Sequence, residues 1–239
     1  MLISKFEVDK DKYGFSSFKA KFFACLVSVD ASESISSVMK EINDNSWISK
    51  LDIVEQISYE ARLKETVISI MNDCVKFNAA TNNNTYDYSV VGEYIVSKEG
   101  RSALVTQFNH RAVPLAELWK EKVSGNSGFD YHSESTTNLI VFGEAKYNST
   151  SNPHTDAIKQ VEKFINKGKD CMELTDLKHF VSDDAINNFK QSKKGFSIAF
   201  SINSNSPLDI IDNAILSDKI VKIKDYDEFY IIGVIINDK

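Results

Sequence analysis

Near the middle of the chain, the apolar run Leu139-Ile140-Val141-Phe142 leads through Gly143 into Glu144-Ala145-Lys146. Successive side chains of a strand point to opposite faces, so Glu144 and Lys146 project together while Ala145 and Tyr147 point the other way. A second strand-like segment, Gly128-Phe129-Asp130-Tyr131, comes before it, and Ser135-Thr136-Thr137-Asn138 supplies a turn between the two. Asp130 and Glu144 stand symmetrically about residue 137. An unbulged antiparallel hairpin therefore sets them directly across from each other, with Cβ atoms about 4.5–5.5 Å apart. Carboxylates so placed repel unless a cation lies between them. A divalent ion such as Mg²⁺, which combines one or two carboxylates with waters and phosphate oxygens, suits that gap. An E-x-K triplet alone usually marks a solvated face. Here the apolar strand before it, the opposing Asp and the centred turn make it a candidate site.

The elements that must position these residues can be read from hydrophobic periodicity. Residues 129–134 and 139–147 form the hairpin, and a helix beginning near Asn152-Pro153 follows, with Ile158, Val161, Phe164 and Ile165 on its buried stripe. More helix is expected over 174–189, and strands at 196–202 and 229–236 close the chain. Upstream lie a helix over 88–96 and a short one opened by Pro114, with Leu115, Leu118 and Trp119 at helical spacing. A break at 124–128 separates these from the hairpin. The first part reads as a strand over 17–28, a helix over 33–43 and a long helix over 49–77. That helix is expected to bury Ile53, Val54, Ile57, Ala61, Leu63, Val67, Ile68 and Met71. An Asn/Thr cluster at 78–85 favours turns, which divides the chain into residues 1–85 and 86–239. Helices covering a mixed sheet make the fold class α/β.

Composition narrows the function classes. The 239 residues are 42% hydrophobic and 26% charged, enough to bury a core. Lys and Arg number 28 against 34 Asp and Glu, a formal charge of −6. That argues against a free-standing basic nucleic-acid binder, whose affinity comes from neutralising phosphates. Only residues 151–194 are not net acidic, with 8 basic and 7 acidic side chains. No apolar window approaches the roughly 20 residues of a membrane span, and no signal-peptide core follows Met1. Cys25, Cys74 and Cys171 show no metal or disulfide spacing, so a cytoplasmic location is expected. Neither G-x-x-x-x-G-K-[ST] nor G-x-G-x-x-G occurs, which leaves no nucleotide cofactor by those routes. The four histidines lack metal-binding spacing; His132 shares the strand face of Asp130.

Gly128-Phe129-Asp130 followed by an apolar strand ending in Glu144-Ala145-Lys146 resembles the PD-(D/E)xK nuclease superfamily over residues 86–203, with Phe129 where the motif has proline. The resemblance implies a PD-(D/E)xK-type core with a central mixed β-sheet flanked by helices, preceded by an N-terminal α/β extension. It also implies metal-dependent phosphodiester hydrolysis. Asp130, Glu144 and the backbone carbonyl of Ala145 would hold Mg²⁺ or Mn²⁺, and Lys146 would orient or polarise the attacking water. Gln160 is similar to a supporting Q-x-x-x-Y glutamine, with Phe164 in place of the tyrosine, and Glu93 matches an extra acidic ligand of some members. Lys159, Lys163 and Lys167, with Lys169, would track a nucleic-acid backbone; the plainer reading of each is a solvated helix face.

Within the superfamily, the Gly-Phe-Asp and Gly-Glu-Ala-Lys-Tyr wording, the length and the helical N-terminal part are similar to the HamA-like nuclease subunits of the Hachiman anti-phage defence system. That similarity implies a bacterial DNase held in a complex with a helicase subunit, with residues 1–85 as a partner-docking region. Two alternatives stay open: a stand-alone restriction-type endonuclease, and a catalytically silent nuclease-fold subunit that binds DNA or a partner.

Overall fold

The computed structural model describes residues 1–78, 83–120 and 128–237. An antiparallel pair, β1 (Leu2–Glu7) and β2 (Lys21–Asp30), opens the chain. Asp30 ends β2 and caps α1 (Ala31–Ile42), its carboxylate accepting from the Glu33 N–H at 3.0 Å. Next come α2 (Ile53–Cys74) and a small antiparallel ribbon of β3 (Val75–Asn78) and β4 (Asn83–Tyr86). Helix α3 (Tyr88–Phe108) follows, then β5 (Arg111–Ala112), α4 (Ala116–Trp119) and the hairpin β6 (Tyr131–Glu134) and β7 (Ile140–Lys146). Helices α5 (His154–Asn166), α6 (Lys169–Met172), α7 (Leu174–Leu177) and α8 (Asp183–Lys190) lead to β8 (Gly195–Ser201), α9 (Pro207–Ile215) and β9 (Glu228–Asn237).

Seven strands form one mixed sheet in the order β1-β2-β9-β8-β7-β6-β5. The four strands β2, β9, β8 and β7 run parallel, and β1, β6 and β5 pair antiparallel at the two sides. Strands covered on both faces lose the apolar–polar alternation, and β8 and most of β9 are accordingly buried residue after residue. Helix α3 packs on the face of Tyr131, Tyr147 and Ala199. Phe142 and Phe196 meet Phe129, which stacks edge-on against Phe164 of α5. The protein is thus a mixed α/β fold whose sheet is flanked by helices.

Strands β1 and β2, from the expected N-terminal part, lie in the same sheet as the hairpin, since β2 pairs with β9 along its whole length. The proposed boundary cluster falls partly on residues 79–82, and the expected break at 124–128 falls largely on residues 121–127; both stretches lie outside the described residues.

Two expectations need correction. Helix α2 buries Leu63 of the expected stripe and packs Val67 against the core, but Ile53, Val54, Ile57 and Ile68 are exposed and Tyr59, Thr66, Ile70 and Cys74 are buried instead. This helix carries apolar residues on more than one face, so periodicity alone identified only part of the buried one. The continuous helix over 174–189 is broken after Leu177, because Ser182 caps α8 by accepting from the Ala185 N–H at 3.1 Å. Among the described residues no helix is long and apolar enough to cross a membrane.

Candidate active site

The hairpin register is the one that the sequence arithmetic requires. Tyr131 pairs with Gly143, His132 with Phe142, Ser133 with Val141 and Glu134 with Ile140, all symmetric about residue 137. Gly143 is needed because the Tyr131 ring lies where its Cβ would stand, 2.2 Å away. The Tyr131 hydroxyl bonds Ser197 at 2.8 Å, tying β6 across β7 to β8. The ladder then runs out at Asp130. Its N–H donates to the Gly143 carbonyl at 2.8 Å, and its Oδ2 accepts from the Ala145 N–H at 2.7 Å. A carboxylate thus takes the place of the next backbone acceptor and is held against β7 where β6 begins.

Glu144 and Lys146 project together, as strand alternation demands. Lys146 Nζ lies 2.8 Å from Glu144 Oε1 and 2.8 Å from Glu93 Oε1, so α3 supplies a second carboxylate to the same ammonium. Glu144 is only 2% exposed against 28% for Lys146 and 48% for Glu93, so the site grades from a dry floor to an open rim. Glu144 Oε2 is buried without a hydrogen-bond partner.

The electrostatics follow from that burial. Loss of hydration raises the Glu144 carboxyl well above the usual range, and the Asp130 charge adds to it against the pull of Lys146. Burial likewise pushes Asp130 upward, against the pull of Lys146 and the Ala145 N–H. For Lys146, burial disfavours the ammonium, but Glu144 and Asp130 outweigh it and hold its pKa above the ordinary lysine value. Lys146 therefore keeps its proton at neutral pH and can act only as a donor.

Glu117 on α4 is the residue that sequence reasoning missed. The neighbouring Ala116 N–H donates to the Asp130 carbonyl at 3.2 Å, which sets this turn of helix beside the site. Glu117 Oε2 is buried without a hydrogen-bond partner, and burial, followed by the Asp130 charge, pushes its carboxyl up. A lone carboxylate inside Pro114-Leu115-Ala116-Glu117-Leu118-Trp119 was the available signal.

A buried network fixes the loop ahead of Asp130. Glu173 accepts from the Phe129 N–H at 3.0 Å and pairs with Lys120 at 2.6 Å and His132 at 2.7 Å. His132 thus belongs to this support; its ring packs on Trp119 and Phe142, and burial lowers its pKa despite Glu173.

Gln160 is half-buried on α5, and among the described residues no hydrogen bond ties it to Glu144 or Lys146. Lys159 and Lys163 on α5, and Lys167 just past its end, are exposed, with Lys159 beside Asp156 at 3.8 Å.

Whether a divalent ion fits can be judged from the donors. Among the described residues no three His, Cys, Asp or Glu side chains form a ready-made metal cage. What the site offers is the neighbouring carboxyls of Asp130 and Glu144, with Glu144 Oε2 unpartnered. That donor set suits Mg²⁺, which binds through one or two carboxylates and keeps several waters. Compared with known proteins, the chain matches no protein-family model, no curated protein and no solved structure.

Proposed function

We propose that this protein is a metal-dependent nuclease of the PD-(D/E)xK type, hydrolysing DNA phosphodiester bonds. One observation carries the reading: just beyond a hairpin register centred on residue 137, Asp130 is held against β7 by the Ala145 N–H at 2.7 Å, where its charge acts on Glu144, and Lys146 pairs with Glu144 at 2.8 Å. A buried Glu144 with an orphaned oxygen, repelled by the Asp130 charge beside it, is costly to a fold. Strongly perturbed acids of this kind concentrate at functional sites.

In this reading Asp130 and Glu144, with the Ala145 carbonyl, hold Mg²⁺ or Mn²⁺. Such an ion, when bound, stabilises charge on the scissile phosphate and lowers the pKa of the attacking water. The Ala145 N–H keeps Asp130 turned towards β7, and the buried position of Glu144 excludes competing water. Lys146, held protonated, donates to a phosphate oxygen or orients the water. Glu93 fixes the ammonium from the solvent side.

The resemblance further supports a role as the effector subunit of a bacterial anti-phage complex with a helicase partner. An acidic chain of charge −6 has weak intrinsic attraction to DNA, so delivery to the substrate by a partner is physically consistent. The test is plasmid degradation in Mg²⁺ and in EDTA by the wild type, Glu144→Ala and Lys146→Ala. The expected loss is at least about 100-fold for each variant and for EDTA, the scale of removing a group that acts on transition-state charge. Cleavage that survives both substitutions would remove the site.

A further inference from the structure

A second cavity lies away from the carboxylate cluster, between α1, the segment 44–50, α3, β5 and the 179–180 turn. Its volume is about 790 Å³, within the roughly 300–1,000 Å³ of small-molecule sites. Five cationic side chains line it, Lys40, Lys50, Lys98, Arg101 and Arg111, against two acids, Glu41 and Asp44. In a chain of net charge −6 this is a local reversal of sign.

Its cations differ in what holds them. Arg101 is fixed, donating to the Val113 carbonyl at 2.8 Å and pairing with Glu41. Lys40 and Lys50 are exposed, and among the described residues neither has an acidic partner within ion-pair distance. The Arg111 head is 3.7 Å from Glu134 and mostly exposed. The interior wall is apolar, formed by Trp47, Val113, Pro114, Leu118 and Phe180. Trp47 is 8% exposed, yet its indole Nε1 has no hydrogen-bond acceptor. Its ring packs edge-on against Phe180 and Tyr59, so the aromatic wall is held rigidly at the side of the cavity.

We propose that this cavity binds a nucleotide-class ligand: a planar ring against the Trp47–Phe180 wall, and phosphate at Lys40, Lys50 and Arg111. Ring and anion are both required. An apolar wall alone would not need the cations, and a phosphate alone would not need a deep aromatic side. The glycine-rich phosphate loops that the sequence lacks are replaced here by side-chain cations on separate elements. The site is independent of the proposed nuclease chemistry, although Leu118 of its wall follows Glu117 on α4.

Isothermal titration in EDTA tests this with AMP, ATP, adenosine and a ten-residue oligothymidylate as probes. ATP or AMP is expected to bind with Kd below about 100 μM, and adenosine at least about tenfold more weakly. The variant Lys40→Glu/Lys50→Glu changes exposed residues and keeps the fold; it should weaken nucleotide binding at least about tenfold, and Trp47→Phe about threefold or more. Circular dichroism on each variant confirms folding. Three results each overturn the proposal: no nucleotide binding up to about 1 mM, affinity unchanged in the folded double variant, or oligothymidylate bound far more tightly than mononucleotide, which would make the cavity part of a nucleic-acid track. None of these outcomes bears on the Glu144 and Lys146 assay.

Discussion

Replacing Asp130 by Asn should stabilise the protein in EDTA while abolishing its response to divalent ions. The variant keeps the shape of the side chain and an oxygen that accepts from the Ala145 N–H, now 2.7 Å from Oδ2, but removes a charge that faces Glu144. Burial, opposed by Lys146, pushes the Asp130 carboxyl up from 3.8 to about 6. A rise of that size corresponds to roughly 3 kcal/mol of native-state strain above both values. Asp130 is partly open to solvent, so about 1–3 kcal/mol is the expected gain. Because the folded value lies above the unfolded one, the penalty is absent below about pH 4, grows as pH rises to about 6 and is constant beyond. At about pH 7.5 the variant should melt roughly 2–10 °C above the wild type in EDTA. Mg²⁺ or Mn²⁺ should raise the wild-type Tm and leave the variant unmoved. Differential scanning calorimetry across pH, with and without divalent ions, reads both effects. A variant less stable than the wild type in EDTA, or an equal metal response in both, would refute the reasoning.

Other substitutions probe the surroundings. Glu117→Gln mimics the protonated acid that burial and Asp130 favour, whose pKa is pushed up to about 8. Its stability advantage over wild type, measured by urea unfolding, should grow from about pH 4.5 to about pH 8 and then level off; a flat difference would argue against the buried setting of Glu117. Glu173→Ala strands Lys120 and His132 in the interior and should cost about 3–5 kcal/mol. Burial works against the Glu173 charge, but Lys120 and His132 outweigh it and depress its pKa. Its contribution is therefore present above the usual carboxylate range and lost as pH falls through the depressed value, so Glu173→Ala should flatten the acid limb of stability. Gly143→Ala drives a methyl into the Tyr131 ring, 2.2 Å from the Cβ position, and should cost about 1–3 kcal/mol; chemical denaturation with an unchanged midpoint would show that β6 yields freely.

The hairpin, its register and the common face of Glu144 and Lys146 were legible in the chain alone. Each depends only on a side-chain period of two and a turn of known position, which are local properties of the chain. The buried stripe of α5 was legible for the same reason: Ile158, Val161 and Phe164 follow helical spacing and are buried. Local pattern misled on α2, where Ile53 and Ile57 fit a stripe as well as Tyr59 and Leu63 do, and only packing chose between them. The rest was a matter of tertiary structure. Glu93 reaches Lys146 across 53 residues, and Glu173 reaches His132 across 41. Glu117 meets Asp130 through one backbone bond from Ala116. A charge is costly or useful according to what lies within a few ångströms of it, and those neighbours come from distant parts of the chain. So the sequence could nominate Asp130, Glu144 and Lys146, and the fold decided how far burial and opposing charge shift them.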